Sequence, residues 1–113
     1  MLSQYSRGMV FWATIPKFCQ HINDGKRPVI IVSNNTANLF SPNVTVVPCT
    51  TNVTKNQPTN VHTKLVNGCP SVALCESVLT MDKVNLENFI GVLDDKTMSD
   101  IDRSLKIALG LGE

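Results

Sequence analysis

The stretch GKRPVIIVSNN, residues 25–35, joins two cations and a proline to a wholly apolar run. The four apolar residues, 29–32, are all valine or isoleucine. β-Branched residues favour strands, and a short continuous apolar run is typical of a strand buried on both faces. A proline at the first position of a strand does little harm to its hydrogen bonds. We therefore predict a buried strand over residues 28–33, with Arg27 in the turn immediately before it.

Arg27 has an unusual position, because an exposed end of the chain could carry its charge with less loss of hydration. Most arginines beside turns are solvated surface cations. Arg27, however, stands between a long polar loop, residues 16–25, and a rigid proline. A guanidinium held in this way can bind a phosphate through two parallel hydrogen bonds. From the residues alone, phosphate binding and simple solvation both remain open.

Composition limits the classes of function. The chain has 113 residues, with 10 Lys+Arg against 9 Asp+Glu and 42% hydrophobic residues. This predicts one ordered domain and argues against binding of duplex DNA through bulk charge. No apolar run approaches the roughly 20 residues that span a bilayer, and residues 9–15 lack a signal-peptide pattern. Four cysteines without a CxxC predict reduced thiols in a cytoplasmic protein.

The other elements follow from periodicity. Five further strands are predicted from apolar or alternating segments, at residues 8–15, 44–50, 61–65, 71–78 and 86–93. Apolar residues at helical spacing predict a helix over Asp95–Leu109, and Gly110 follows its last periodic residue. Leu39 and Phe40 lie in a turn-rich segment and are expected to point inward. Together these elements predict a mainly β fold, a small bent sheet or barrel with a C-terminal helix.

Two hydroxyl groups end the third predicted strand. Thr50 and Thr51 close it, and the polar loop that follows contains Lys55. Threonine is also a good strand residue, which by itself explains the pair. The hydroxyls can take part in chemistry with Arg27 only if the second and third strands pair.

Histidines, acids and thiols give weaker signals. His21 and His62 are the only histidines, so a histidine-pair ribonuclease site is one alternative. His62 falls in an alternating strand and is expected to face solvent, whereas His21 lies in the long loop. No spaced carboxylates and no Cys/His ligand pattern occur, so we expect no metal site and no cofactor. Cys49 and Cys75 are most simply small core residues.

A wider pattern connects these segments. GKRPVIIVSN (25–34) followed by FSPNVTVVPCTT (40–51) closely resembles the MazF/PemK family of toxin endoribonucleases. The likeness continues through PTNVH (58–62), VALCE (72–76) and the helix that ends in IALGLG (107–112). It covers nearly the whole chain in order.

The resemblance implies a single toxin domain over residues 1–113, with an SH3-like, CcdB/PemK-type β-barrel and a C-terminal helix. It also implies a cytoplasmic homodimer that cleaves single-stranded RNA at short sequences without a metal and is neutralised by a cognate antitoxin. The family's catalytic arginine falls on Arg27 and its catalytic threonine on Thr50. The residues expected to contact RNA are Lys17, His21, Lys26, Thr51, Lys55 and Ser77.

The chain departs from the family pattern at several positions. Met9 stands where Asp is common, QHIND (20–24) replaces the usual loop, Ser77 stands for Gln, and Leu79 for Arg. One alternative is therefore an inactive relative that only binds RNA or antitoxin. A gyrase poison of the CcdB type is disfavoured, since it depends on a Trp-Gly-Ile terminus and this chain ends in LGLGE (109–113). A purely structural protein is disfavoured by the long polar loop.

Overall fold

The structure is a computed structural model that describes residues 4–15, 25–64 and 68–112. Two helices and seven strands make up this part of the chain. In order they are β1 (Met9–Ile15), β2 (Gly25–Ile31), α1 (Asn35–Phe40), β3 (Asn43–Thr50), β4 (Asn60–Lys64), β5 (Pro70–Leu74), β6 (Leu79–Asp82), β7 (Leu86–Val92) and α2 (Asp95–Leu109). Short 3₁₀ turns at Cys75–Ser77 and Lys83–Asn85 flank β6.

The strands form one antiparallel sheet in the order β4-β5-β3-β2-β1-β7, and β6 pairs with the first half of β3. The mainly β architecture with a C-terminal helix is thereby confirmed. The predicted closure into a barrel is wrong, because no ladder joins β4 to β7 within the described residues. Helix α2 packs against β4 and the Cys75–Ser77 turn. Its Met98 and Ile101 side chains pack on the face of the sheet that carries Ile30 and Val47.

The apolar part of β2 is buried on both faces of the sheet, which explains its continuous apolar sequence. Val29 and Ile31 point into a first core formed by β1, β3, β6 and β7. Ile30 points into a second core, where α2 contributes Met98 and Ile101. All three β2 side chains are fully buried. The strand therefore separates two hydrophobic clusters, which accounts for a continuous rather than an alternating pattern.

Several predicted boundaries are confirmed and others are corrected. The bounds of α2 are as predicted, and β1, β3, β4 and β7 lie within one residue of expectation. Strand β2, however, begins at Gly25, because residues 25–27 continue the ladder with β1. Arg27 therefore lies inside the strand and not in a turn. The predicted strand over residues 71–78 ends at Leu74 and continues as the 3₁₀ turn, and β6 was not predicted.

Helix α1 was also missed, and the inward orientation of its apolar end is wrong. Leu39 is 40% exposed and Phe40 is 78% exposed. Asn38 is buried instead, and its side-chain amide donates to the Ser33 carbonyl at 2.9 Å. Its backbone carbonyl accepts from Lys83 Nζ at 2.6 Å. This polar anchor fixes the rotation of the helix, so the apolar pair faces solvent.

Helix α2 is tied to the sheet by one side chain as well as by its apolar face. Arg7 forms an ion pair with Asp102 of α2, and its Nε donates to the Val32 carbonyl at 3.0 Å. Asp94 caps the helix by accepting from the Thr97 amide at 2.8 Å. In the described part of the chain, no helix is long and apolar enough to cross a membrane.

The two-core arrangement makes Ile101 a test of the fold. Ile101 is a residue of α2 whose side chain is fully buried, whereas the side chain of Ile107 in the same helix is 46% exposed. Ile101→Ala should lower the free energy of unfolding by about 2–5 kcal/mol, through lost burial and the cavity left behind. Ile107→Ala should cost about 1 kcal/mol or less, because less apolar surface is lost. Urea denaturation followed by Trp12 fluorescence measures both; equal losses would contradict the packing described.

Candidate active site

Arg27 is the third residue of β2 and is half-buried. In the β2–β3 ladder, Val29 pairs with Pro48 and Ile31 with Val46. The ladder ends at the Val29–Pro48 pair; the same register extended by two residues would set Arg27 opposite Thr50, and strand alternation would give both side chains the same face as Val29. The Arg27 Nη1 group donates to the Cys49 carbonyl at 3.4 Å. Strands β2 and β3 therefore pair, as a joint role for Arg27 and the threonine hydroxyls requires.

Thr50 is the last residue of β3 and is half-buried. Its Oγ1 accepts a hydrogen bond from the Asn52 amide at 3.2 Å. A hydroxyl that accepts in this way keeps its own hydrogen for donation to another acceptor. Thr51 follows the strand and is exposed. Of the two threonines, Thr50 is the one that lies within the strand and is half-buried.

The polar loop after Thr50 is folded back on β4. Lys55 is exposed, and its backbone carbonyl accepts from His62 Nε2 at 2.8 Å. The Gln57 amide donates to Asn60 Oδ1 at 2.8 Å, and the Asn60 amide donates to the Gln57 carbonyl at 2.9 Å. His62 faces solvent, as predicted. Sequence reasoning missed these contacts, although asparagines near both ends of the loop are a recognisable turn signal.

Glu76 and Ser77 lie in the 3₁₀ turn after β5. Glu76 Oε1 accepts from Thr59 Oγ1 at 2.8 Å and from Asn60 Nδ2 at 3.0 Å, which anchors the end of the loop. Ser77 is half-buried and precedes β6, which pairs with the first half of β3. The first residue of β6, Leu79, pairs with Val46, and Val72 of β5 pairs with Thr50. Ser77 lies between these two strands along the chain, so it is on the side of Val46 that leads toward Thr50.

Lys26 points away from the Arg27 face, because neighbouring residues in a strand alternate. Its Nζ pairs with Glu87 Oε1 of β7 at 2.8 Å, and Thr14 donates to Glu87 Oε2 at 2.9 Å. Hydrogen bonds from Lys26 and Thr14 lower the pKa of the Glu87 carboxyl. With Trp12 and Asn88, Lys26 and Glu87 line an open pocket of about 320 Å³. This pocket was not predicted.

Two of the residues expected to contact RNA, Lys17 and His21, lie outside the described residues, as does Cys19. Met9 and Leu79, which depart from the family pattern, are partly buried against the first core. Across the described ranges, no group of three His, Cys, Asp or Glu side chains could hold a metal ion.

Cys49 and Cys75 are fully buried free thiols in the second core, which confirms their core role. Burial raises the pKa of the Cys75 thiol to about 12 and also raises the pKa of Cys49. Because the thiolate is the nucleophilic form, neither cysteine is suited to nucleophilic catalysis.

Comparison with known proteins gives a consistent result. Residues 6–109 match the family described as "PemK-like, MazF-like toxin of type II toxin-antitoxin system". The chain is 35% identical over 109 residues to Endoribonuclease MazF of Staphylococcus saprophyticus, covering 93% of this chain and 91% of that protein.

Solved structures with the same fold include two from mycobacteria. One is an endoribonuclease in complex with its cognate antitoxin, with a TM-score of 0.82 and 28% identity, covering 96% of this chain and 98% of that one. The other is the Mycobacterium tuberculosis toxin MazF-mt6, with a TM-score of 0.78 and 25% identity, covering 93% of this chain and 99% of that one.

The buried thiols predict a loss of stability at alkaline pH. A folded-state pKa above the unfolded value means that the stabilisation is complete below about pH 8.5 and is lost as pH rises toward the folded value. Each such thiol should lower the free energy of unfolding by up to about 1.4 kcal/mol per pH unit in that range.

Cys75→Ala tests this expectation, since it removes one of the two buried thiols. Its unfolding free energy, measured by urea denaturation between about pH 9 and pH 10.5, should fall less steeply than that of the wild type. Cys69→Ala, which removes an exposed thiol, is the matched control and should keep the wild-type slope. Equal slopes for all three proteins would mean that Cys75 ionises readily in the folded state.

Proposed function

The chain belongs to the PemK-like, MazF-like toxin family and is an endoribonuclease of that family; from this premise we propose that it cleaves single-stranded RNA with Arg27 and Thr50 as its catalytic pair. The observation that carries the proposal is the β2–β3 register, which supports an arrangement of the half-buried arginine and threonine opposite one another two residues beyond the last pair, Val29 with Pro48. The Arg27 contact with the Cys49 carbonyl supports it, because it directs the guanidinium toward the end of β3.

The chemistry follows from what these two groups can do. The ribose 2′-OH attacks the adjacent phosphorus, its O–P bond forms, and the bond from phosphorus to the 5′ oxygen of the next nucleotide breaks. Negative charge builds on the non-bridging oxygens during this step. A guanidinium and a hydroxyl that are already in place stabilise that charge, and loss of one such donor typically costs 10²–10³ in rate. The products carry a 2′,3′-cyclic phosphate and a 5′-hydroxyl.

Arg27 acts as an electrostatic clamp rather than as a base. A guanidinium has five N–H donors and no acceptor, so it can bind the phosphate oxygens but is not suited to accept the 2′-OH proton. Its planar fork suits two phosphate oxygens at once, which an ammonium cannot match. The pair needs no metal for this role, so cleavage should proceed in EDTA.

The remaining RNA contacts are proposed with different support. Thr51 is the residue after Thr50 and Lys55 lies in the loop that follows, and both are exposed. Lys26 would have to release Glu87 to reach RNA on that face. Ser77, Lys17 and His21 remain proposals from the family pattern. We also propose a cytoplasmic homodimer whose single domain spans residues 1–113.

A cognate antitoxin is the proposed protein partner, because a mycobacterial relative is known in complex with its own. Such a partner would inhibit cleavage if it covered the surface that carries Arg27, Thr50 and Lys55. Addition of antitoxin should then reduce cleavage in a saturable way.

Substitution of the pair tests the catalytic proposal. Arg27→Ala should lower the cleavage rate of a mixed single-stranded RNA pool by at least about 10²-fold in EDTA, and Arg27→Lys should recover little of it. Thr50→Val, nearly isosteric, should slow cleavage without unfolding the protein. Product ends are identified by mass spectrometry.

Arg103→Ala is the matched control, since Arg103 is an exposed arginine of α2 whose Nη1 lies 3.5 Å from Asp100 Oδ1. It should cleave as the wild type does. If His21→Ala abolishes cleavage and Arg27→Ala does not, the assignment is wrong. If the wild type binds RNA but leaves it uncut, the inactive-relative interpretation replaces this one.

The homodimer has its own test. Large apolar side chains are exposed on α1, on the Lys83–Asn85 turn and on β7: Phe40, Val84, Phe89 and Val92. Such exposure in a small domain favours self-association. Sedimentation at micromolar concentration should show about twice the 12.4 kDa of one chain. A species of monomer mass alone would contradict the dimer.

A further inference from the structure

The loop over residues 52–59 is held by a set of hydrogen bonds that the catalytic proposal does not use. At its centre, His62 Nε2 donates to the Lys55 carbonyl at 2.8 Å. Toward its end, Asn60 Oδ1 accepts from the Gln57 amide, and Asn60 Nδ2 and Thr59 Oγ1 both donate to Glu76. The loop is thereby fixed to β4 at Lys55 and to the Cys75–Ser77 turn at its end.

These contacts matter because of where the loop begins. It follows Thr50, whose Oγ1 accepts from the Asn52 amide, and it carries the exposed Lys55. A polar loop of this kind is flexible unless it is tied down, and ordering it on binding costs conformational entropy. The hydrogen bond to the Lys55 carbonyl restricts the motion of the backbone that carries the Lys55 side chain. The conformational entropy of the Lys55 backbone is then lost when the protein folds and not when it binds RNA.

We propose that His62 is a positioning residue for RNA binding: by donating to the Lys55 carbonyl, it places the Lys55 ammonium beside a phosphate next to the one that is cleaved. The inference rests on the proposed function of Arg27 and Thr50. It assigns to His62 no contact with the reacting atoms.

The chemistry of the bond separates this role from acid–base catalysis. A carbonyl oxygen only accepts, so Nε2 carries the hydrogen in neutral His62, and the imidazolium also donates from this atom. Protonation of the ring therefore leaves the contact with Lys55 in place. Nε2 is engaged in this hydrogen bond in both the neutral and the protonated ring. Substitution of His62 should therefore alter the affinity for RNA without altering the pH profile of cleavage.

A double-mutant cycle of Lys55→Gln and His62→Ala tests the coupling. Dissociation constants are measured with 2′-O-methyl RNA, which lacks the attacking hydroxyl, and KM and kcat with unmodified RNA. Each single variant should weaken binding about three- to tenfold, the effect of one hydrogen bond or one exposed phosphate contact. The double variant should bind about as well as Lys55→Gln alone, because His62 acts through Lys55. Each should also reduce the slope of log affinity against log salt by about 0.7.

His62→Gln is the conservative variant, since its amide can donate to the same carbonyl, and it should recover most of the affinity. Lys64→Gln is the matched control, an exposed cation on the same strand, and its effect should add to that of His62→Ala. KM should rise in His62→Ala with kcat and its pH profile unchanged.

Additive losses for Lys55→Gln and His62→Ala would overturn the proposal, as would a fall in kcat with a changed pH profile. If His62→Ala binds RNA as tightly as the wild type and cleaves normally, the proposal for His62 is wrong and the catalytic proposal for Arg27 and Thr50 is unaffected. Absence of cleavage by the wild type would remove the catalytic proposal alone, because the binding cycle with uncleavable RNA still decides the role of His62.

Discussion

The pairing of β2 with β3 is the constraint on which the rest of the structure depends. It joins the fully buried residues of the two strands, Val29, Ile30 and Ile31 of β2 and Pro48, Val47 and Val46 of β3. Burial of each large aliphatic side chain contributes about 1.5–3 kcal/mol, more than any single exposed polar contact in the proposed site. Arg27 and Thr50 lie two residues beyond the last pair of this ladder, Val29 with Pro48. The core therefore fixes the strand ends that carry both residues.

The local parts of the fold could be predicted from the sequence because they depend on near neighbours. Periodicity was enough for the bounds of α2, and β-branched runs were enough for β1 and β3. The start of β2 at Gly25 could not be predicted, since it is set by pairing with β1. Helix α1 was missed for a related reason. Its position depends on the buried Asn38, whose partner Lys83 is 45 residues away along the chain.

The residues of the proposed site also differ in how far the sequence alone could predict their roles. Arg27 and Thr50 were each ambiguous alone, and only the family resemblance and then the β2–β3 register joined them. Lys26 looked equivalent to Arg27 in sequence, yet strand alternation turns it to the opposite face, where Glu87 binds it. The bond from His62 to the Lys55 carbonyl left no sequence signal, because the acceptor is a backbone atom. Met9 and Leu79, which depart from the family pattern, are partly buried against the first core.

A structure of the protein bound to single-stranded RNA with a 2′-deoxy nucleotide at the cleaved position tests the central claim most directly. That substrate retains the scissile phosphate and lacks the attacking hydroxyl. We expect one non-bridging oxygen within about 2.7–3.2 Å of the Arg27 guanidinium and another contact of similar length from Thr50 Oγ1. A scissile phosphate placed on the Lys26–Glu87 face, or held by neither residue, would contradict it.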